Sequence, residues 1–336
     1  MGYSSQAGQV LFRTQATKGT YPSDVGTAGV AMKLRGGSLG INRELLIADP
    51  EIGGGRDTAD AYLGAASWSG DFEFYARLES ITTLLKACLG SAASATATGV
   101  HTHTITPSDS ATLPFLAVEE RIGSGLETYN YTDAVVNTFH LEADANGYMQ
   151  GTAGLIAAKQ EAGKTPTAAP KWDNSPMIVG TNIAVTLGGV NLGAKSFGFD
   201  ITNNYEDDDF RLGSFFLGDL TAKGREVSGS FTIRPEDSSL WRRAAYGLAS
   251  ATAVGGLATK NQLVITATTY EDIVGSTPLT KSSVSVTVPN IILEPYALEP
   301  SGDDVIENDV SWRAVRPLAA TPICTVVVKN GAAAIA

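Results

Sequence analysis

The chain has 336 residues, of which 18% are charged and 36 are glycine, and its formal net charge is −11. At roughly 100–200 residues per domain, that length fits two domains, each able to bury its own core. No run of Lys and Arg offsets the acidic balance, which disfavours sequence-unspecific nucleic-acid binding, because phosphate neutralisation dominates such affinity.

In chain order, the first landmark is Leu34-Arg35-Gly36-Gly37-Ser38-Leu39-Gly40, read as a strand. A long segment follows, containing Asp49-Pro50-Glu51-Ile52-Gly53-Gly54-Gly55-Arg56-Asp57. It is too long for a hairpin turn and therefore a candidate functional loop. Ser69-Gly70-Asp71-Phe72-Glu73-Phe74 alternates with period 2 and predicts a strand with Phe72 and Phe74 on one face. Ile81, Leu84, Leu85, Cys88 and Leu89 sit at helical spacing, so they predict one buried helix face. Gly90 ends that helix, as glycine does at the left-handed position after the last turn. Further strands are expected around Leu113–Val118 and Val135–Phe139. From Glu161 to Pro176, three prolines among Thr, Ala and Gly predict an extended linker.

Beyond it the landmarks return in the same order. Leu187-Gly188-Gly189-Val190-Asn191-Leu192-Gly193 matches Leu34–Gly40 at four of seven positions. A second long loop, Asn203-Asn204-Tyr205-Glu206-Asp207-Asp208-Asp209-Phe210-Arg211, occupies the same place as the first. Ser228-Gly229-Ser230-Phe231-Thr232-Ile233 matches Ser69–Phe74. Leu240, Trp241, Ala244 and Ala245 make a shorter helix, stopped by Gly247. The string Ala-Ser-Ala-Thr-Ala occurs at 93–97 and again at 249–253, and strands are expected around 263–267 and 286–292. The four matches are offset by 153, 159, 157 and 156 residues, a drift that small loop insertions account for. The expected organisation is a duplication: residues 1–160, a linker at 161–176, and residues 177–336. Each copy is expected to be α+β and mostly β, a small β-sandwich or barrel with one flanking helix.

Catalytic and metal signals are weak. His101 and His103 lie two apart on one strand face without a third ligand nearby, and His140 is the only other histidine. Gly163-Lys164-Thr165 lacks the first glycine of a phosphate loop, because position 158 is Ala158. The Glu206–Asp209 run lacks the spacing of a calcium loop. Cys88 and Cys324, one per half, define no disulfide framework or zinc site. No enzyme, cofactor or metal is expected. No stretch is apolar enough to span a membrane. Met1–Gln6 has neither the positive nor the apolar region of a signal peptide, and the chain reads as made in the cytosol.

These features, together with Val100-His101-Thr102-His103-Thr104-Ile105-Thr106-Pro107 and Val227–Thr232, resemble the tail tube (major tail) proteins of long-tailed bacteriophages over nearly the whole chain. The resemblance implies rings of six domains, stacked into a tube. With two domains per chain, three chains would close a pseudo-hexameric ring. It implies a virion tail protein assembled in the host cytoplasm. Its partners would be further copies of itself in ring and axial contacts, a tape-measure protein inside the tube and tail-tip proteins. Double-stranded DNA would pass through an acidic lumen during ejection without specific binding. The two loops then become candidate inter-ring arms, with Asp49, Glu51, Arg56, Asp57, Tyr205, Glu206, Asp207, Asp208, Asp209 and Arg211 as candidate contact residues. Lys223, Arg225, Arg242 and Arg243 would be basic counterparts on the next ring. The alternative is another β-rich virion protein, such as a capsid decoration or adhesion module.

Overall fold

The computed structural model describes residues 3–58, 60–298, 305–318 and 321–336. The first half contains β1 (Gln9–Thr14), α1 (Val25–Ala28), β2 (Val30–Met32), β3 (Leu34–Gly37), β4 (Gly40–Ile47), β5 (Ala61–Tyr75), α2 (Ser80–Leu89), β6 (Gly90–Ala97), β7 (Val100–Pro107), β8 (Leu116–Ile122), β9 (Glu127–Asp144) and β10 (Gln150–Glu161). The second contains β11 (Ile183–Leu187), β12 (Val190–Asn191), β13 (Ser196–Thr202), β14 (Tyr205–Glu206), β15 (Thr221–Ala222), β16 (Glu226–Ile233), α3 (Ser239–Tyr246), β17 (Asn261–Asp272), β18 (Lys281–Leu293), β19 (Asn308–Ala314) and β20 (Thr325–Asn330). The chain is α+β and mostly β, as the alternating patterns predict.

Within the first half the strands pair antiparallel in the order β2-β1-β8-β9-β10-β5-β4. Within the second half the order is β12-β11-β17-β18-β19-β16-β13. Numbered in chain order among these seven, with β3, β6, β7, β14, β15 and β20 left out, the strands follow the same order in both halves, with the main helix after the fourth. The ladder continues across the linker. The outer edge of β13 pairs with residues 138–144 of β9. On the other side β20 lies between β18 and β7. Both halves thus share one 18-stranded sheet and one core, which includes Phe12, Phe72, Phe139, Phe199 and Trp312.

The helices show how local sequence sets local structure. Gly90 (φ 100°) and Gly247 (φ 87°) take the left-handed conformation, and each N–H closes the last turn onto Lys86 O or Arg243 O. A side chain disfavours that conformation, so both stops follow from the glycines. Every residue of α2 except Lys86 is buried, because β9 lies on one side and the β6–β7 hairpin on another. The linker seats its N-terminus: Asp173 Oδ2, fully buried, accepts from Ser80 N at 2.7 Å, and a carboxylate there suits the positive end of a helix. Residues 162–176 are extended but docked. Thr167 donates twice to Glu119 at 2.8 Å, and Ala31 exchanges hydrogen bonds with Lys171 and Asp173. In the second half no hairpin among the described residues replaces β6–β7, and no residue of α3 is fully buried.

Two of the four sequence matches join segments that are not structurally equivalent. Gly37 lies opposite Phe72, whereas Phe231, the match of Phe72, lies opposite Phe197. The counterpart of Leu34–Gly40 is therefore 194–200, seven residues beyond the matched 187–193. Leu187 instead ends β11 at a Gly188-Gly189 hairpin turn. Likewise Ala93–Ala97 is strand β6, but 249–253 is turn and loop. Both pairs of strings are rich in residues that many local structures accept. The Ser-Gly strands and the glycine-stopped helices do coincide, because period-2 alternation and a left-handed glycine each allow few backbones.

Candidate functional site

One exposed apolar feature is an arm. β4 pairs with β5 to form a hairpin, with Leu45 opposite Leu63 and Leu46 opposite Tyr62. All eight residues of β4 are exposed. Ile41 and Ile47 are 58% and 60% exposed, and Tyr62 is 66% exposed. Apolar and aromatic residues favour the strands, yet among the described residues no core covers β4 or the facing residues 61–63 of β5. The outer edges of β3 and β4 carry no strand among the described residues; both pair only with β5. At the tip, Asp49, Glu51, Arg56 and Asp57 are exposed, and among the described residues their side chains make no hydrogen bond or ion pair. At the root, the buried Tyr131 hydroxyl lies 3.1 Å from both Leu39 O and Glu120 Oε2. Burial pushes the Glu120 carboxyl up to about 7 against these hydrogen bonds.

The corresponding loop of the second half, 203–225, is folded down onto the first half. Tyr205, Leu217 and Leu220 are buried against Leu113, Phe115, Val135, Ile156 and Ala158. Phe216 packs 6.2 Å from Trp68, and Ala66 N donates to Phe215 O at 2.9 Å. Asn203, 1% exposed, donates to Cys88 O at 2.9 Å and Val136 O at 3.0 Å. Asn137 Oδ1 accepts from Tyr205 N at 3.0 Å.

The candidate contact residues therefore separate. Asp49, Glu51, Arg56 and Asp57 lie together on the first arm. In the second loop Tyr205 is a core residue. Glu206 faces Lys223 at 3.8 Å. Arg211 bridges Asp209 and Asp219 at 2.6 and 2.7 Å, and Lys18 also pairs with Asp219. The hydrogen bond from Arg211 holds Asp209 below the usual carboxylate range, and those from Lys18 and Arg211 do the same to Asp219. Asp207 and Asp208 remain exposed. Of the basic counterparts, Arg225 donates to Ser108 O at 2.6 Å and Arg243 to Asn261 Oδ1 at 2.9 Å, both within the chain.

Sequence reasoning missed the role of the histidines, which all lie at the two joins between the halves. His140 sits opposite Asp200 across β9–β13, with Nδ1 2.6 Å from Asp200 Oδ1 and Nε2 3.3 Å from Glu142 Oε2. The hydrogen bond to Asp200 and then Glu142 raise its pKa, against partial burial. His101 and His103 lie on β7, opposite β20. His103 is buried, with Nδ1 2.8 Å from Ser94 Oγ and Nε2 3.0 Å from Ala332 O. With both ring nitrogens engaged, it is built as a clasp. The signal available in sequence was only that two histidines share one strand face. Burial pushes both thiols, Cys88 and Cys324, up to about 12. No group of three His, Cys, Asp or Glu suited to a metal occurs among the described residues.

The geometry is thus that of an open sheet with one edge satisfied internally and an equivalent edge left apolar and bare. No curated protein matches the chain. The family model described as phage tail tube protein matches residues 5–314, and the chain belongs to that family, a structural component of the virion tail.

Proposed function

We propose that the two halves are two copies of one tube domain, that three chains close a ring with six-fold pseudo-symmetry, and that such rings stack into the tube through which DNA is ejected. One observation carries this reading: the seven-strand order of the first half is repeated strand for strand in the second. Two such units per chain give six per ring from three chains. Open sheet edges are an aggregation hazard, and ring closure removes them. Contacts between unlike surfaces close when the rotation fits, and stacking along the axis remains open to growth. The arm tip, with Asp49, Glu51, Arg56 and Asp57, suits axial contact, and so do Asp207 and Asp208. The net charge of −11 suits a wall that repels phosphates rather than holding them. In this reading the tube grows in the host cytoplasm from tail-tip proteins around a tape-measure protein. Native mass spectrometry together with negative-stain imaging tests it. Three-chain rings, or tubes of constant diameter built from them, are expected; a chain that stays monomeric over the whole accessible concentration range would overturn it.

A further inference from the structure

We infer that the outer edge of β4, with the arm it leads into, docks on the second half of another copy of the chain, in the way that β13 and the 203–225 loop dock on the first half of their own chain. The inference rests on the ring reading above and adds which edge meets which surface. In the seven-strand order, which leaves out the short β3, β14 and β15, β4 and β13 are third and each pairs with the fourth strand on one side. β13 covers its other side with residues 138–144 of β9, and its loop covers its apolar residues with the face around Leu113 and Ile156. β4 has neither cover among the described residues. Its exposed Ile41, Leu45, Leu46 and Ile47 with Tyr62 and Leu63 form the kind of contiguous apolar edge that marks a protein contact.

The receiving surface follows from register. Leu155 lies opposite Gly70 and Val136; Trp312 lies opposite Gly229 and Leu293. Gly70 and Gly229 are the matched glycines of the Ser-Gly strands, so Leu293 stands where Val136 stands. The stretch Glu294–Leu298 accordingly occupies the place of the β9 residues that receive β13. Gly40 lies opposite Ser69 and Asp200 opposite Ser228, so Gly40 stands where Asp200 stands. Since Asp200 faces His140, four residues beyond Val136, Gly40 of one chain faces Ala297 of the next. Pro295 lacks a backbone donor, and Tyr296 O and Ala297 O already accept from Trp241 Nε1 and Asn308 Nδ2 within the chain, so this ladder is shorter than the internal one. The arm's apolar contacts then carry more of the join. The contact is between unlike surfaces, so each chain offers one edge and one receiver, and a closed set of chains leaves neither bare.

Disulfide trapping tests the pairing. Directly opposed residues on antiparallel strands have Cα atoms about 4.5–5.5 Å apart, within disulfide reach. A Cβ at Gly40 meets nothing closer than Ser69 O at 3.7 Å, and the native Cys88 and Cys324 are fully buried. Under mild oxidation, assembled Gly40→Cys/Ala297→Cys should give covalent dimers and trimers in non-reducing gels and nothing larger. Gly40→Cys/Tyr296→Cys covers a one-residue shift, since β9 spends one extra residue in a bulge between Val136 and Thr138 that β18 need not share. Covalent trimers from either variant support the pairing. Tubes or rings that form normally while neither variant cross-links would overturn it and leave the tube reading standing. A protein that never assembles would overturn the tube reading, and the pairing with it.

Discussion

β13 and β4 hold the same place in their halves and have opposite fates. β13 has a strand on each side, buried Phe197, Phe199 and Ile201, and a loop pinned by Asn203 and Tyr205. β4 has one neighbour and eight exposed residues. The difference does not lie in hydrophobicity, since β4 carries Ile41, Leu45, Leu46 and Ile47. It lies in supply: among the described residues, one chain holds a strand to cover the outer edge of β13 and none to cover that of β4. An exposed apolar residue is thus better read against its structural equivalent than against an average surface.

The strongest way to break the comparison is to charge the bare edge. Ile41→Lys with Leu45→Glu should abolish rings and tubes at concentrations where the unmodified chain is fully assembled. The isolated chain should melt within about 1–2 °C of the original, because substitutions of exposed residues cost about 0.5 kcal/mol or less. Normal assembly by this variant would separate the two edges for good. The covered edge should respond in the opposite sense. Asn203→Leu strands Cys88 O and Val136 O and should cost about 2–4 kcal/mol in urea unfolding, with the loop lifting from the first half. A loss below about 0.5 kcal/mol would mean that Asn203 does not pin the loop.

A subtler effect concerns the root of the arm, where Tyr131 and Leu39 meet Glu120. Burial raises Glu120 to about 7 in the folded chain, so folded protein holds this proton more tightly than unfolded protein does. The associated stability is complete below the ordinary carboxylate range near 4.5 and is lost as pH rises through about 7. For a shift of this size the loss is about 3 kcal/mol. Glu120→Gln should flatten the fall in melting temperature between pH 5 and pH 8, and an unchanged slope would remove Glu120 as its cause. His140 acts in a higher window. Its raised pKa makes its contribution to the β9–β13 join complete below about 6.5 and lost as pH rises through the raised value. The β4 edge has Gly40 where β13 has Asp200, so it has no counterpart of that switch.

Much of the fold was legible in the sequence because it depended on period and on glycine. The Ser-Gly strands and the two helices with their stops at Gly90 and Gly247 follow from patterns that few backbones satisfy. The seven-residue misplacement of Leu34–Gly40 arose because Leu-x-Gly strings serve equally as bent strands and hairpin turns. The Tyr205–Arg211 segment reads as a polar tip, yet Tyr205 is 7% exposed, because its cover comes from Leu113 and Ile156, distant in sequence. The histidine clasps were hidden for the same reason: Asp200 and Ala332 reach His140 and His103 only through strand pairing.

The most direct test is amide hydrogen exchange on β4 and β13 before and after assembly. In the dissociated chain 196–202 should be protected throughout, whereas the amides of 40–47 that point away from β5 should exchange freely; on assembly the protection of those amides should rise toward that of 196–202. Unchanged exchange at 40–47 in fully formed tubes would contradict the claim that this edge is completed by a second copy of the chain.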